Sequence, residues 1–212
     1  MRVILLDNRD SFVYNLVDQF AVLGAGIEVY RNTVPAARVL KALEPTREES
    51  AHGQRPVLAL SPGPGHPRTS GCLMELVVTA LAGSIPTLGI CLGFQAIVEA
   101  CGGDVNRVGP VHGRSVRVAL TEAGRADAAS AVLKGEPLDV ARYHSLGTRE
   151  LPQALTCLAR TIEADGTGVV MAARHAVAPV VGLQFHPESV LTPYGPGILR
   201  SLTDDLAGAR AA

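Results

Sequence analysis

Along the first half of the chain, apolar and polar positions fall into blocks that switch between two periods. Arg2 to Leu6 is a short leucine and β-branched run ending at Asp7, as in a strand buried on both faces. Val13, Leu16, Val17, Phe20 and Leu23 then recur at helical spacing before Gly24 and Gly26, with Asp10 or Ser11 expected to cap that helix. Ile27 to Arg31 predicts a second strand, and Val34 to Leu43, opened by Pro35, a second helix. The polar stretch 44–56 has no period and reads as a surface loop, after which Val57 to Leu60 resumes the sheet. Met74 to Leu81 predicts a helix, Ile85 to Ile90 a strand, and Leu92 to Ala100 a helix closed by Gly102 and Gly103.

From Gly113 the texture changes. Ser115 to Leu120, Ala154 to Ala159, Gly168 to Arg174 and Val180 to Phe185 are strand-like runs separated by turns. A final helix, started by Pro196 and carrying Ile198, Leu199, Leu202 and Leu206, precedes an Ala/Arg tail expected to fray. The expected fold is α/β, with a doubly wound, mainly parallel sheet, helices on both faces and a smaller antiparallel β portion in the second half. A single domain is expected over residues 1–212, with no internal repeat and no low-complexity segment.

Composition then excludes whole classes. A hydrophobic fraction of 47% against 18% charged residues calls for a packed core. Nineteen basic and 20 acidic residues give a net charge of −1, which carries no footprint for nucleic acid or an anionic membrane. The opening run at 1–7 is too short for a signal peptide and nothing later reaches transmembrane length, so the expected location is the cytoplasm. Cys72, Cys91, Cys101 and Cys157 form no C-x-x-C pair and have no histidine at ligand spacing, so neither a disulfide framework nor a metal site is expected.

Chemistry concentrates where one strand becomes a helix. Cys91 stands between Gly89 and Gly93 at that junction, the pattern of a nucleophile elbow, in which a Cβ at either flank would collide with a neighbouring element. The following helix would aim free N–H groups and its positive dipole end at the sulfur, favouring thiolate. Ser61-Pro62-Gly63-Pro64-Gly65 follows a strand and offers backbone N–H groups where open α/β sheets bind ligands, but lacks the Gly-Lys-Ser/Thr ending of a phosphate loop. Late in the chain, His186 and Glu188 are two residues apart after the last strand. In extended backbone these point to one face, so the carboxylate can orient the imidazole while Pro187 keeps the backbone straight. Cys91, His186 and Glu188 thus supply nucleophile, base and orienting acid.

These motifs resemble those of class I glutamine amidotransferases over almost the full length. They run from Leu6-Asp7-Asn8-Arg9-Asp10-Ser11-Phe12 through Ser61 to Gly65, Gly89 to Gly93 and Arg142-Tyr143-His144-Ser145-Leu146 to Phe185-His186-Pro187-Glu188-Ser189. The opening, the Tyr-His-Ser-Leu segment and Val111-His112-Gly113 resemble the branch serving chorismate enzymes, nearest the small subunits of anthranilate synthases. The resemblance implies hydrolysis of L-glutamine through a Cys91 thioester, with the oxyanion held by the N–H groups of Gly63 and Leu92. Glutamine would be held by Gly63, Pro64, Gly65, Gln95, Ser145 and Leu146. His144, His112, His66 and His175 are read as structural or surface residues.

The resemblance also implies delivery of ammonia to a chorismate-binding synthase subunit, with no cofactor in this chain and Mg2+ in the partner's own site. The same donor chemistry also serves 4-amino-4-deoxychorismate or secondary-metabolite enzymes, and a non-catalytic scaffold of the same fold is a third reading. An α/β-hydrolase is disfavoured because Glu188 follows His186 in the chain. Two departures from the family pattern stand out: Phe94 where His is usual, and Arg114 where Lys is usual.

Overall fold

The computed structural model describes residues 1–109, 113–127, 129, 137–163 and 168–208. The Val111-His112 pair and the tail beyond 208 lie outside the described residues. In chain order the elements are β1 (Arg2–Asp7), α1 (Val13–Val22), β2 (Gly26–Arg31), α2 (Ala36–Ala42), α3 (Arg47–Ala51), β3 (Val57–Leu60), α4 (Leu73–Ala82), β4 (Thr87–Ile90) and α5 (Leu92–Ala100). There follow β5 (Asn106–Arg107), β6 (Arg114–Leu120), α6 (Glu122–Ala126), β7 (Leu138–Arg142), β8 (Leu146–Gly147), β9 (Leu155–Thr161), β10 (Val170–His175), β11 (Val180–Leu183) and α7 (Gly195–Leu206).

Nine of the described strands form one sheet in the order β2-β1-β3-β4-β11-β10-β9-β6-β7. The first five run parallel to one another. Every neighbouring pair from β11 outward to β7 is antiparallel. The sheet is therefore parallel α/β at one side and antiparallel at the other, as the change of texture after Gly113 implies. A two-residue antiparallel ladder, β5 with β8, stands apart from it.

Two-sided burial explains the apolar runs. Along β1, Val3 and Leu5 face a core shared with Val13, Leu16 and Phe20 of α1 and with Ile198, Leu199 and Leu202 of α7. Ile4 and Leu6 face the opposite core, shared with α2, α4 and α5 through Val39, Leu76 and Ile97. Successive strand residues point to opposite faces, so a run with no polar member is what a sheet covered by helices on both sides requires.

The chain places β2 on one side of β1 and then returns to place β3 on the other. That reversal opens a crevice at the carboxyl ends of the parallel strands. Asn8 at the end of β1 closes part of it: its N–H donates to Ser61 Oγ and its Nδ2 to Ser61 O, both at 2.9 Å.

Three local expectations change. The stretch 44–56 is not all loop, because Thr46 and Glu49 form a capping box that starts α3, with Glu49 N donating to Thr46 Oγ1 at 3.1 Å and Thr46 N to Glu49 Oε2 at 2.8 Å. Arg2 adds two hydrogen bonds to the same carboxylate, at 3.1 and 3.0 Å. Helix α1 has no side-chain cap; Asp10 instead accepts from the N–H of Phe12, the residue at the N-cap, at 2.8 Å. Strand β7, helix α6 and the β5–β8 ladder stand where no element was expected.

The packing at the β4–α5 junction leaves no room. A Cβ on Gly93 would lie 2.5 Å from Leu60 O, and one on Gly89 would lie 2.7 Å from the Gly93 backbone. Gly93→Ala is expected to lower stability by about 1–3 kcal/mol, read as a lower urea midpoint. An unchanged midpoint would mean that α5 can lift away from β3.

Candidate active site

Cys91 links β4 to α5 with φ 51° and ψ −97°, a left-handed geometry that a non-glycine residue adopts only under constraint. The constraint has two visible sources. Its N–H is held to Leu183 O of β11 at 2.7 Å, and its carbonyl receives the Gln95 N–H at 3.0 Å as the first turn of α5 closes. The sulfur-bearing residue is left 7% exposed at the head of a helix whose first N–H groups have no partner within the helix.

His186 and Glu188 come from the segment after β11, and Nδ1 of the imidazole lies 2.7 Å from Oε1 of the carboxylate with both residues buried. The expected extended backbone is not what joins them. The chain turns at Pro187 and Glu188, with Ser189 N donating to His186 O at 3.3 Å. Thr192 fixes the same carbonyl, donating from Oγ1 at 2.7 Å. The turn brings the two side chains together as the alternation argument expected, by a different route.

Burial works against a proton on His186, but the neighbouring Cys91 sulfur and the hydrogen bond with Glu188 outweigh it and push the imidazole pKa up to about 10. The ring therefore stands as imidazolium at neutral pH. Tyr143 meets it edge-on, with ring centroids 5.0 Å apart, and its hydroxyl lies 3.2 Å from Ser189 Oγ. A cation beside a sulfur at a helix head suits nucleophilic acyl transfer, because the proton taken from the nucleophile is already held where a leaving group can collect it.

Cys91 and His186 open onto a cavity of about 350 Å³. Gly63, Pro64, Gly65, Gln95, Ser145 and Leu146 all line it, so every residue expected to contact glutamine meets Cys91 and His186 in one place. Gly63 is seated tightly: a Cβ there would lie 2.6 Å from Asn8 and 2.9 Å from Leu92 Cδ2, which brings the Gly-Pro-Gly loop against the first residue of α5. Gln95 donates from Nε2 to Leu146 O at 3.0 Å. Glu99, further along α5, pairs with His66 at 3.3 Å and Arg68 at 3.2 Å, tying the segment after that loop to the same helix.

His144 is buried in the cavity wall, donating from Nδ1 to Leu146 O at 2.6 Å. Burial, reinforced by the Arg142 charge, pushes its pKa down to about 3, so it is neutral at physiological pH. His175 accepts from Ala178 N at 2.8 Å and shapes a turn. Phe94 is fully buried in the core beneath the elbow, packed over Gly182 of β11, and is not part of the cavity wall. Among the described residues, no three His, Cys, Asp or Glu side chains converge on a metal position, and no helix is long and apolar enough to cross a membrane.

The profile of the glutamine amidotransferase class-I family matches residues 4–205. The chain belongs to the class I glutamine amidotransferases. Among relatives of this amidotransferase, anthranilate synthase component 2 of Corynebacterium glutamicum is 43% identical, over 96% of this chain and 97% of that one. A protein of the same name from Vibrio parahaemolyticus is 42% identical, over 93% and 92%. A pyocyanine-specific anthranilate synthase component 2 of Pseudomonas aeruginosa is 43% identical, over 95% and 92%. The solved structure of a glutamine amidotransferase from Thermotoga maritima superposes with a TM-score of 0.69 at 19% identity, covering 98% of this chain and 98% of that one, which speaks to the fold.

Three residues of the amidotransferase site have no role in the motifs read from the sequence: Tyr143, Thr192 and Gln184. Tyr143 and Gln184 were visible as neighbours of His144 and Phe185 in motifs already singled out, but their contacts cross between distant segments. Gln184 lies beside Cys91, its Nε2 3.7 Å from Sγ.

The two buried histidines set opposite pH limits on stability. His186 holds its proton up to about pH 10 in the folded chain and near 6.5 when unfolded, so its contribution is complete below 6.5 and is lost as pH rises toward 10. His144 resists protonation down to about 3, so its contribution is complete above 6.5 and is lost as pH falls toward 3. Thermal unfolding should therefore show Tm falling on both sides of neutrality. His144→Gln should flatten the acid limb and His186→Gln the alkaline limb, and limbs unaffected by these changes would refute the assignment.

Proposed function

We propose that this chain is the glutamine-hydrolysing subunit of an anthranilate synthase, cytoplasmic, with Cys91, His186 and Glu188 as its catalytic triad. The observation that carries this reading is a strained, helix-capping cysteine and a carboxylate-held imidazolium opening onto one cavity with the residues expected to contact glutamine. Relatives bearing the name anthranilate synthase component 2 at 42–43% identity over nearly the whole chain support the destination of the ammonia.

Cys91 sulfur attacks the side-chain carbonyl carbon of L-glutamine, and the oxygen takes up charge opposite the N–H groups of Gly63 and Leu92. Losing one such donor typically costs on the order of a hundredfold in rate. His186 gives its proton to the departing nitrogen, which leaves as ammonia, and the γ-glutamyl thioester remains on Cys91. Water, deprotonated by the same imidazole, hydrolyses it to glutamate. Glu188 keeps the ring in orientation and balances its charge throughout.

Ammonia released into water is mostly protonated and loses its nucleophilicity, so a shielded handover to a second active site raises its effective concentration there. The partner is anthranilate synthase component I, a chorismate-binding subunit that keeps Mg2+ in its own site. A second cavity of about 570 Å³ shares Tyr143 and His186 with the first and is edged by Phe12 and Val190, which are 50% and 92% exposed. Apolar groups left open beside a reaction centre are suited to being covered by a protein surface.

Glutamate release should rise when the purified chain is combined with its chorismate-binding partner, and should fall by on the order of 10³ or more in Cys91→Ser. The product formed from chorismate decides the pathway, anthranilate against 4-amino-4-deoxychorismate. Intact complex with no glutamate release under any pairing would overturn the catalytic reading in favour of a scaffold.

A further inference from the structure

The side chain of Gln184 is fully buried, and neither end of it faces solvent. It follows directly on β11, whose Leu183 carbonyl fixes the Cys91 backbone, and its own N–H is held by Met171 O at 2.9 Å. Its Nε2 lies 3.7 Å from Cys91 Sγ, within reach of a hydrogen bond to sulfur. Its Oε1 receives Gln95 Nε2 at 3.4 Å, and that same nitrogen also donates to Leu146 O at 3.0 Å. A single polar line therefore runs from the nucleophile through two carboxamides to the loop that lines the cavity.

Resting on the glutaminase reading above, we propose that Gln184 is a positioning residue for that reaction: its carboxamide ties the Cys91 sulfur to Gln95 and so sets nucleophile and substrate cradle in one hydrogen-bonded line. Chemistry selects the residue type. A carboxamide offers a donor to sulfur and an acceptor to Gln95 at once, without adding charge. A carboxylate would lack the donor and oppose negative charge on sulfur, whereas an apolar side chain would leave Gln95 with an unmatched N–H in a buried place.

The donor also answers a geometric need. Cys91 is held by its backbone, but its sulfur can still rotate about χ1, and a donor on one side favours the rotamer that keeps the sulfur beside the imidazolium. Once the sulfur is acylated it becomes a poor acceptor, so the bond from Gln184 weakens as the thioester forms and is restored on hydrolysis. The contribution belongs to preparation of the nucleophile and to the fit of Gln95, not to proton transfer.

The test compares wild type, Gln184→Met and Gln184→Glu as the full-length chain. The first readout is the pH midpoint of Cys91 alkylation by iodoacetamide, followed by mass spectrometry of the Cys91 peptide, and the second is steady-state glutamine hydrolysis with the partner subunit. In Gln184→Met the alkylation midpoint should rise by roughly half to one pH unit, with kcat/KM for glutamine falling about tenfold through both lower kcat and higher KM. Gln184→Glu keeps the shape of the side chain, so it tests the chemistry even if the Met variant folds poorly, and it should raise the midpoint further. An unchanged alkylation midpoint in a folded variant overturns the proposal whatever the activity, and so does an activity loss confined to kcat with the midpoint unmoved. The alkylation readout needs no turnover, so its outcome is separate from whether the wild-type chain hydrolyses glutamine.

Discussion

The left-handed turn at Cys91 is the constraint on which the rest depends. It exists because β3, β4 and α5 approach so closely that Gly89 and Gly93 have no space for a Cβ, and because β11 grips the cysteine N–H at 2.7 Å. The sharp turn leaves the sulfur at the head of α5, at the carboxyl edge of the parallel strands, where Asn8 and Ser61 bind the ends of β1 and β3 together. The crevice is thus a by-product of strand order, and Cys91 stands in it because the sheet and the helix permit only one path between them.

The framework around that turn was legible because burial on two faces leaves a plain mark. Val3-Ile4-Leu5-Leu6 and Val57-Leu58-Ala59-Leu60 contain no polar residue, since α1 and α7 cover one side of the sheet and α2, α4 and α5 the other. Elements without an unbroken or periodic apolar pattern were lost. Helix α3 buries none of its residues, and its only signal is the Thr46-x-x-Glu49 spacing of a capping box. Strand β7 is buried at four of its five positions, but the charged Asp139 and Arg142 interrupt its apolar run in the sequence, and the β5–β8 ladder is too short to have a period.

The candidate site divides along the same line. Cys91, His186 and Glu188 could be found because each sits in a local motif whose chemistry is readable from its neighbours. Even there, the expectation of extended backbone at His186 was replaced by a turn, since a proline fixes its own φ but leaves the following residue free to fold back. Gln184 and Thr192 could not be found this way. Gln184 acts through a contact to a residue 93 positions distant, and Thr192, which holds the His186 carbonyl, is itself placed by the Ala141 N–H from 51 positions away, which no window of sequence contains.

Holding a cysteine at φ 51° costs on the order of 1–3 kcal/mol in conformational free energy, which glycine at the same position would not incur. The fold alone would accordingly be more stable with glycine at position 91. Selection for the fold alone would tend to let position 91 drift toward glycine, so a side chain kept there answers to a demand other than stability. In a lineage where this chain served only to hold an assembly together, the elbow is the first place where that loss of purpose would be written.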